Sequence, residues 1–583
     1  MDKNSNGIKI LYLINIISGI VYFISISEWM VSSVLFSFGF GLALGLGEYF
    51  FFTRINPKTG KIVQYTSIVL GSLLSLLAAC SFYSTWITSI NVMKTVVTKV
   101  FSDYSQGLMI ISIILGILSM PFTICLLRII PYIFKLIGTF SFKQIWQDLK
   151  GKSKPLTIVK KIGIAILNVL GATALGTLFL FGAYLIPVQR IDKNVTSSAY
   201  TIDEEGLCPS LFGWCTSKLD NFTDAIMLLE AGNPVYDSPV NDSMNIPRGC
   251  IDDLDPVDVI TDHYVRDVDF DSTTTYSSYW HGYLFILKPL LMVFDYSAIR
   301  IINGIIQLLL AVITCILLYK KGHKKAVIPY AVSYLMLMPL AMASTMQFSN
   351  CFYIFTILSI VLLLMKDKAL TEKAYLVFLW AGILTPFFDL MTYPITTFGI
   401  PMVFFLLISG NITPEAKLSH TIRNAFYWCF GFGTMWLSKW TVASLITGEN
   451  KFSEALAKVM QRTSTVSDEG EKYSSYTAVI RNYGAFLLTP VTILAILLIV
   501  FMLIKFIKNR NLSGKEAAKV FFPFALTGLA PVVWYVFATN HSTIHYWFAN
   551  KACLVSLLAV LFGLVYLLKV NADKKEAALK AAF

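Results

Sequence analysis

The sequence predicts an all-α, polytopic transmembrane helical bundle, and three observations support this fold class. Hydrophobic residues make up 56% of the 583-residue chain, charged residues only 14%, and the mean hydropathy is +0.66. A soluble protein could not bury this much apolar surface, whereas helices that cross a membrane leave theirs in contact with lipid. Apolar runs also recur along the whole chain, and their length predicts about fourteen spans of roughly 20 residues each.

The net charge of +12 is distributed as a topology signal and not as a nucleic-acid-binding patch. Lysine and arginine collect in short stretches between the apolar runs, such as Arg54–Lys61, Lys143–Lys161 and Lys320–Lys325. Basic residues favour the cytoplasmic side of a membrane, so these stretches are predicted to be cytoplasmic. We therefore expect a multi-pass protein of the cell membrane with cytoplasmic N- and C-termini and no nucleic-acid partner.

Four predicted spans precede the longest basic stretch and carry almost no charge: residues 9–27, 30–52, 64–84 and 107–135. We interpret residues 1–136 as a separate accessory module and the lysine-rich residues 137–161 as a cytoplasmic linker. A fifth span, near residues 162–186, then begins the main bundle, which comprises residues 162–583.

A long polar interval at residues 187–280 follows the fifth span and is predicted to be a large extracytoplasmic loop. It holds 17 acidic but only 5 basic residues. Its tract Asp252–Asp271 resembles a cation-binding cluster but lacks EF-hand spacing, so a solvated acidic surface is the alternative. Cys208 and Cys215 flank a short turn and could form a disulfide in an oxidising compartment. No pair of cysteines has the spacing of a metal site, and we predict none.

Two aspartates of this loop, Asp220 and Asp224, are the candidate catalytic pair. They are four residues apart in Lys218–Leu229, and a helix there would place both on one face. A carboxylate at a water-accessible membrane surface suits a general base, which takes the proton of an attacking hydroxyl group. The alternative interpretation is a solvated helix face or an amino-terminal helix cap.

After the loop, Tyr279–Tyr283 leads into an apolar run that Lys288 and Pro289 interrupt. The run is too short to cross a membrane and predicts a helix in the interface, with the next span near residues 299–319. Each later polar residue has a simple explanation as a cap or an interfacial side chain. Ionisable groups within spans are nevertheless costly and tend to mark function. Polar residues collect on the predicted side of the acidic loop: Trp280, His281, Gln347, Asp389, Tyr393, Lys439, Arg481, His541 and His545.

Taken together, these features resemble the GT-C class of bacterial polytopic glycosyltransferases over about residues 160–570. More closely, they look like those of uncharacterised firmicute membrane proteins of this general kind. One departure concerns the acids, which are often adjacent in the class but lie four residues apart here. The resemblance rests on five segments: Leu219–Leu228, Tyr279–Tyr283, Asp389–Pro394, Leu437–Trp440 and Asn540–Trp547.

The resemblance implies inverting transfer of a sugar from a polyprenyl-phosphate donor to a glycan or lipid acceptor outside the cytoplasm. Asp220 is then the expected base, with Asp224 as its orienting partner or substitute. A divalent ion could assist the departing phosphate, although no ligand set is visible. The candidates for cationic contact with that phosphate are Lys439, Arg481, His541 and His545. The candidates for the substrate pocket are Trp280, His281, Gln347, Asp389 and Tyr393.

Two other functions agree with the same composition. A transporter or flippase for lipid-linked saccharides would also need many spans, but it predicts two matching halves with broken helices, and no such internal repeat is visible. A non-catalytic envelope assembly protein is the third interpretation, which requires every polar group on that side to be structural.

Overall fold

The computed structural model describes residues 136–150, 155–410, 412–466, 470 and 472–582. The chain divides into two compact units, Met1–Phe140 and Ser141–Phe583, and almost all described residues belong to the second. The predicted accessory module of residues 1–136, with its four spans, lies outside the described residues except for its last residue.

Helices form nearly all of the regular structure in the described residues. In chain order they are α1 (Phe142–Lys150), α2 (Pro155–Tyr184), α3 (Asp192–Glu205), α4 (Asn221–Gly232), α5 (Pro239–Asn245), α6 (Pro256–Arg266), α7 (Leu284–Leu291), α8 (Tyr296–Lys320), α9 (Val327–Met336), α10 (Pro339–Ala343), α11 (Met346–Leu364), α12 (Asp367–Phe388), α13 (Thr396–Ile408), α14 (Pro414–Thr447), α15 (Lys451–Thr463), α16 (Ser475–Leu487), α17 (Val491–Lys508), α18 (Gly514–Gly528), α19 (Ala530–Phe537), α20 (Thr539–Ile544), α21 (Tyr546–Ala549) and α22 (Leu554–Ala582).

Six helical segments in the described residues are long and apolar enough to cross a membrane, as expected of a membrane protein. They are Val159–Tyr184, Tyr296–Lys320, Met346–Leu364, Val491–Lys508, Gly514–Phe537 and Tyr546–Lys580. The spans predicted near 162–186 and 299–319 coincide with α2 and α8. Helices α12 and α14, with 22 and 34 residues, are also long but more polar. The total of about fourteen spans stays a prediction.

Residues 187–280, predicted as a loop, are folded into a helical insertion. Helices α3 to α6 make up most of it, together with an antiparallel hairpin of β1 (Pro247–Cys250) and β2 (Ser272–Thr275). The acidic tract takes part in this fold: Asp255 caps α6, and Asp271 accepts from the backbone N–H of Asp252 at 2.9 Å. The thiols of Cys208 and Cys215 are free, so the suggested disulfide is not formed.

The insertion is attached to the first span that follows it. Asp295 caps α8, because its carboxylate accepts from the backbone N–H of Ala298 at 2.9 Å. The other oxygen of the same carboxylate accepts from the hydroxyl of Ser197, on α3, at 3.0 Å. Since Ser198 also accepts from the backbone N–H of Tyr296 at 2.9 Å, α3 is fixed against the amino end of α8.

Helices α12 and α14 approach each other closely where two glycines meet. A β-carbon at Gly382 would lie 2.2 Å from the carbonyl oxygen of Trp428, and one at Gly431 would lie 2.5 Å from that of Leu379. Only glycine permits backbones to pack at this separation. The crossing therefore fixes α14, which carries Lys439, against α12.

Two buried apolar clusters stabilise the second unit. One includes buried residues of α11, α13 and α22, such as Phe348, Phe405 and Phe562. The other packs α4 and α7 against α2, with Leu228 and Leu287 among its members. Helix α12 contributes to both clusters, so the insertion and the helical bundle share a continuous packed interior.

Candidate functional site

Asp220 and Asp224 lie one turn apart at the amino end of α4, but their environments differ. Asp220 is the N-cap: its Oδ1 accepts from the backbone N–H of Thr223 at 3.1 Å. Its Oδ2 has no hydrogen-bond partner, although it is sealed from solvent. The prediction of a water-accessible surface is wrong here, because the two residues are only 1% and 0% exposed.

Asp224 is fully bonded and caps a second helix. Its carboxylate accepts from the hydroxyl of Tyr296, from the N–H of Met346 at 2.9 Å and from the N–H of Gln347 at 3.1 Å. The latter two are the first amides of α11, which have no partner within their own helix. Asp224 therefore joins α4 to the start of a membrane-spanning helix.

A network of polar side chains surrounds Asp224 and fixes its orientation. Arg300 donates to the Tyr296 hydroxyl at 2.7 Å and stacks its guanidinium 3.8 Å from the Tyr296 ring. The same guanidinium forms a bidentate ion pair with Glu205, with N–O distances of 2.5 and 2.9 Å. Asn221 donates to Glu205 at 3.0 Å. Asp224 thus has the contacts of an orienting group.

Burial changes the proton affinity of both aspartates. It raises the pKa of Asp220 to about 7, and the charge of Asp224 acts in the same direction, against hydrogen bonds from Thr223 and the ammonium of Lys551. Burial likewise raises the pKa of Asp224 to about 6, against hydrogen bonds from Tyr296 and Met346. Burial thus brings the pKa of Asp220 close to neutral pH, the range in which a carboxylate is most effective as a general base.

Lys551, which sequence reasoning missed, supplies a positive charge beside Asp220. It lies in the short 3₁₀ helix Asn550–Cys553, directly before α22, and is 1% exposed. Its ammonium donates to the carbonyl of Thr216 at 3.2 Å and lies 4.3 Å from the centre of the Phe348 ring. An ionisable residue at the start of an apolar run was the available signal.

His541 and His545 surround a second missed residue, Arg462 of α15. The Nε2 of His545 accepts from Arg462 at 3.1 Å, and the Nε2 of His541 donates to the carbonyl of Met391 at 2.7 Å. Burial lowers the pKa of His541 well below its ordinary value, with smaller effects of His545 and Arg462. Burial and then Arg462 lower the pKa of His545 to about 3. The prediction that both imidazoles contact a phosphate as cations is therefore wrong. The positive charge of this cluster belongs to Arg462.

Lys439, Trp280 and His281 form a third group, around Glu230. Lys439 is fully buried, donates to the carbonyl of Met244 at 2.9 Å and lies 5.6 Å from the Trp280 ring centre. His281 approaches Glu230 at 3.0 Å, and the opposite oxygen of Glu230 has no hydrogen-bond partner. Lys439 is thus a buried internal donor and not an interfacial side chain with its charge in water.

Asp389 and Tyr393 have mainly structural contacts. Asp389 accepts from the backbone N–H of Thr392 at 3.0 Å, and the Tyr393 hydroxyl donates to the carbonyl of Phe348. Arg481 lies 5.3 Å from the ring centre of Tyr546. The structure therefore brings Gln347 to the aspartate pair, and it leaves the other predicted pocket residues in neighbouring clusters.

No ligand set for a metal ion is present in the part of the chain that the structure describes. There, no group of three or more histidine, cysteine, aspartate or glutamate side chains is arranged to hold a cation. The many carboxylates of the insertion are used as caps and in ion pairs, such as Arg266 with Asp203 at 2.9 Å and Asp262 at 2.5 Å.

No known protein family, curated protein or solved structure matches this chain.

Proposed function

We propose that this protein is an inverting glycosyltransferase of the cell membrane, which transfers a sugar from a polyprenyl-phosphate donor to an envelope glycan or lipid on the extracytoplasmic side. One observation carries the proposal. Asp220 combines an unpartnered, solvent-excluded carboxylate oxygen with a pKa of about 7. Asp224, by contrast, has hydrogen bonds on both of its carboxylate oxygens.

The proposed step is a single displacement at the anomeric carbon. The free Oδ2 of Asp220 takes the proton of an acceptor hydroxyl while that oxygen forms a bond to the anomeric carbon. The bond between the anomeric carbon and the phosphate oxygen breaks, and both of its electrons leave with the polyprenyl phosphate. Because the acceptor attacks from the face opposite the leaving group, the anomeric configuration inverts.

Asp224 takes no proton in this step and acts through its fixed position beside Asp220. With three donors on its oxygens it stays in place when Asp220 changes protonation, and its negative charge helps to keep the pKa of Asp220 high. Raising that pKa makes Asp220 a stronger base than an exposed aspartate, which binds protons only weakly at neutral pH.

A phosphate leaving group gains negative charge as the bond breaks, and fixed cations lower the energy of that change. Lys551 is the buried cation whose charge acts on Asp220. Arg481 lies beside the ring of Tyr546, which precedes Lys551 by one short stretch of sequence. We assign the phosphate to these two residues in place of Lys439, whose ammonium bonds the carbonyl of Met244.

The test compares host cells that carry the wild-type chain with cells that carry Asp220→Asn. Envelope glycans are analysed by mass spectrometry, and polyprenyl-linked sugars are extracted and counted. The matched control is Asp269→Asn, which removes an exposed carboxylate from the same insertion. We expect Asp220→Asn to lose one sugar from an envelope polymer and to accumulate the sugar-charged lipid.

The three candidate functions give different results. Accumulation of the sugar-carrying lipid in the outer leaflet supports the glycosyltransferase, since the donor has reached that leaflet but has not been used. Accumulation in the inner leaflet identifies a flippase instead. Unchanged glycans and lipids, with Asp220→Asn present at wild-type amounts, leave only a non-catalytic role and refute the proposal.

A further inference from the structure

Two buried polar atoms lack a partner in the cluster around Arg462. The Nε of Arg462 and the Nδ1 of His541 are both sealed from solvent, and neither has a hydrogen bond. An arginine Nε carries a hydrogen and can only donate. The cluster thus has at least one unused donor. Whether the Nδ1 of His541 is a donor or an acceptor depends on whether that nitrogen carries a hydrogen.

The contacts of His541 identify its Nδ1 as an acceptor. Its Nε2 lies 2.7 Å from the carbonyl oxygen of Met391 and must therefore donate. In a neutral imidazole the other nitrogen then has a lone pair and no hydrogen. Burial keeps the ring neutral, because it lowers the pKa of His541. One unused donor and one unused acceptor consequently occur in the same cluster.

The segments that carry these atoms are held together by other bonds. Arg462 donates to His545 at 3.1 Å, and the His541 and His545 rings are 4.8 Å apart. The backbone N–H of Asn540 donates to the carbonyl of Ser464 at 3.0 Å, which fixes the end of α15 to α20. The orphan atoms therefore belong to a fixed arrangement and not to mobile side chains.

Aromatic side chains surround the cluster. Tyr279 lies with its ring 5.1 Å from that of Tyr276 and 4.8 Å from that of Trp436, and Arg462 interacts with both tyrosines. His545 stacks on Phe548 at 5.1 Å. Apolar and aromatic walls with a few placed polar groups are typical of small-molecule sites.

We infer that Arg462 and His541 bind the hydroxyl groups of a sugar. A hydroxyl oxygen accepts from the Nε of Arg462, and a hydroxyl hydrogen is donated to the Nδ1 of His541. A phosphate oxyanion matches the first atom only, because the lone pair of His541 repels negative charge. This inference rests on the proposed function only for the identity of the sugar, which belongs to the lipid-linked donor or to the acceptor.

The test measures binding to the full chain in nanodiscs. One series titrates unsubstituted polyprenyl phosphate and polyprenyl phosphates that carry glucose, galactose, mannose or N-acetylglucosamine. A second series titrates the methyl glycosides of these sugars, which represent the acceptor. The variants are Arg462→Gln and His541→Gln, since glutamine at 541 can still donate to Met391 but lacks the Nδ1 acceptor. Lys458→Gln, one turn earlier on α15, is the charge-matched control.

We expect each variant to weaken sugar binding about tenfold, as for the loss of one buried hydrogen bond, with unsubstituted polyprenyl phosphate bound as by wild type. Loss in the first series assigns the site to the donor sugar, and loss in the second assigns it to the acceptor. Equal weakening for unsubstituted polyprenyl phosphate would identify a phosphate site instead. Unchanged affinities, or a wild type that binds none of the sugars, would overturn the inference. Ordered water would then be the partner of the Arg462 Nε and the His541 Nδ1.

This experiment also separates the inference from the proposed function. Asp220→Asn is included as a variant that should bind sugar normally and fail only in transfer. If the wild type binds sugar through Arg462 and His541 but transfers none, the carbohydrate site stands and the glycosyltransferase proposal fails. If transfer occurs and both glutamine variants bind sugar like wild type, the glycosyltransferase proposal stands and the carbohydrate site at Arg462 and His541 fails.

Discussion

The carboxylate of Asp224 accepts the backbone N–H of Gln347 at 3.1 Å, although 123 residues separate the two in sequence. This bond and its neighbour from Met346 place the amino end of α11 directly against the start of α4. A helix end presents unpaired N–H groups and a partial positive charge, both of which a carboxylate satisfies. The candidate site is therefore built on a junction between the insertion and the bundle.

This junction predicts a stability difference between the two aspartates. Asp224→Asn removes the charge that three donors share, and the new amide hydrogens face other donors. We expect a loss of about 3 kcal/mol in the free energy of unfolding, which is typical of a lost charged hydrogen bond and an unsatisfied donor. Thermal unfolding in detergent should show a lower midpoint for Asp224→Asn than for Asp220→Asn. Equal midpoints would contradict the capping role.

The raised pKa of Asp220 predicts how transfer depends on pH. A base works in its ionised form, and a pKa of about 7 leaves Asp220 half ionised at that pH. The rate at saturating donor should therefore rise as the pH is increased through about 7 and should fall about tenfold per unit below pH 6. Transfer rates between roughly pH 5 and 9 test this. A rate that is flat down to pH 5 would exclude Asp220 as the base.

Lys551 should set the position of this pH profile. Its ammonium stabilises the ionised form of Asp220, so its removal should raise the pKa of Asp220 further. Lys551→Met keeps an apolar side chain of similar length and should move the acidic limb of the profile to higher pH. Lys439→Met provides the comparison, because that ammonium bonds Met244 instead. The same shift in both variants would point to a general loss of positive charge.

The crossing of α12 and α14 predicts different effects on stability for alanine at two nearby glycines. Gly431→Ala places a β-carbon 2.5 Å from the carbonyl oxygen of Leu379, so the helices must separate. Overpacking of this kind costs about 1–3 kcal/mol. Gly433→Ala meets nothing within 4 Å and should be neutral or stabilising, since alanine favours helices. Unfolding midpoints of the two variants check this, and similar values would argue against close packing.

The proposed orientation predicts which residues react from outside the cell. The nine native cysteines are first replaced by serine, since Cys208 and Cys215 of the insertion are free thiols. Tyr236, in the insertion, is 70% exposed, and Tyr236→Cys should then react with an impermeant maleimide in intact cells. Lys324→Cys, in the exposed turn between α8 and α9, should react only after permeabilisation. Gly322 is a poor choice there, because its φ of +82° strains any other residue. Reversed labelling would place the site on the cytoplasmic side.

The sequence predicted some elements well, for identifiable reasons. Hydropathy located α2 and α8 because their apolar character extends over a whole span. The spacing of Asp220 and Asp224 correctly predicted one turn of helix. It did not predict their different environments, since the partners of Asp224 come from α8 and α11.

Two cations of the candidate site were not predicted, because residues that are distant in sequence bury them. Arg462 lies in α15, whose alternation of charged and apolar residues is typical of a solvated amphipathic helix. Contacts with His545, Tyr276 and Tyr279, all distant in sequence, take its guanidinium out of water. Lys551 follows the polar turn that the sequence identified, but its proximity to Asp220 depends on a contact with Thr216.

That last contact has a consequence for biosynthesis. Thr216 and Lys551 are 335 residues apart, and at ordinary rates of translation the ribosome needs roughly 17–67 s to make that interval. Throughout this time the insertion has left the ribosome while the helix that supplies Lys551 does not yet exist. The nascent chain therefore carries Asp220 without its neighbouring cation until the segment Asn550–Cys553 has been made, so the charge environment of the candidate base is completed only after translation of the intervening helices.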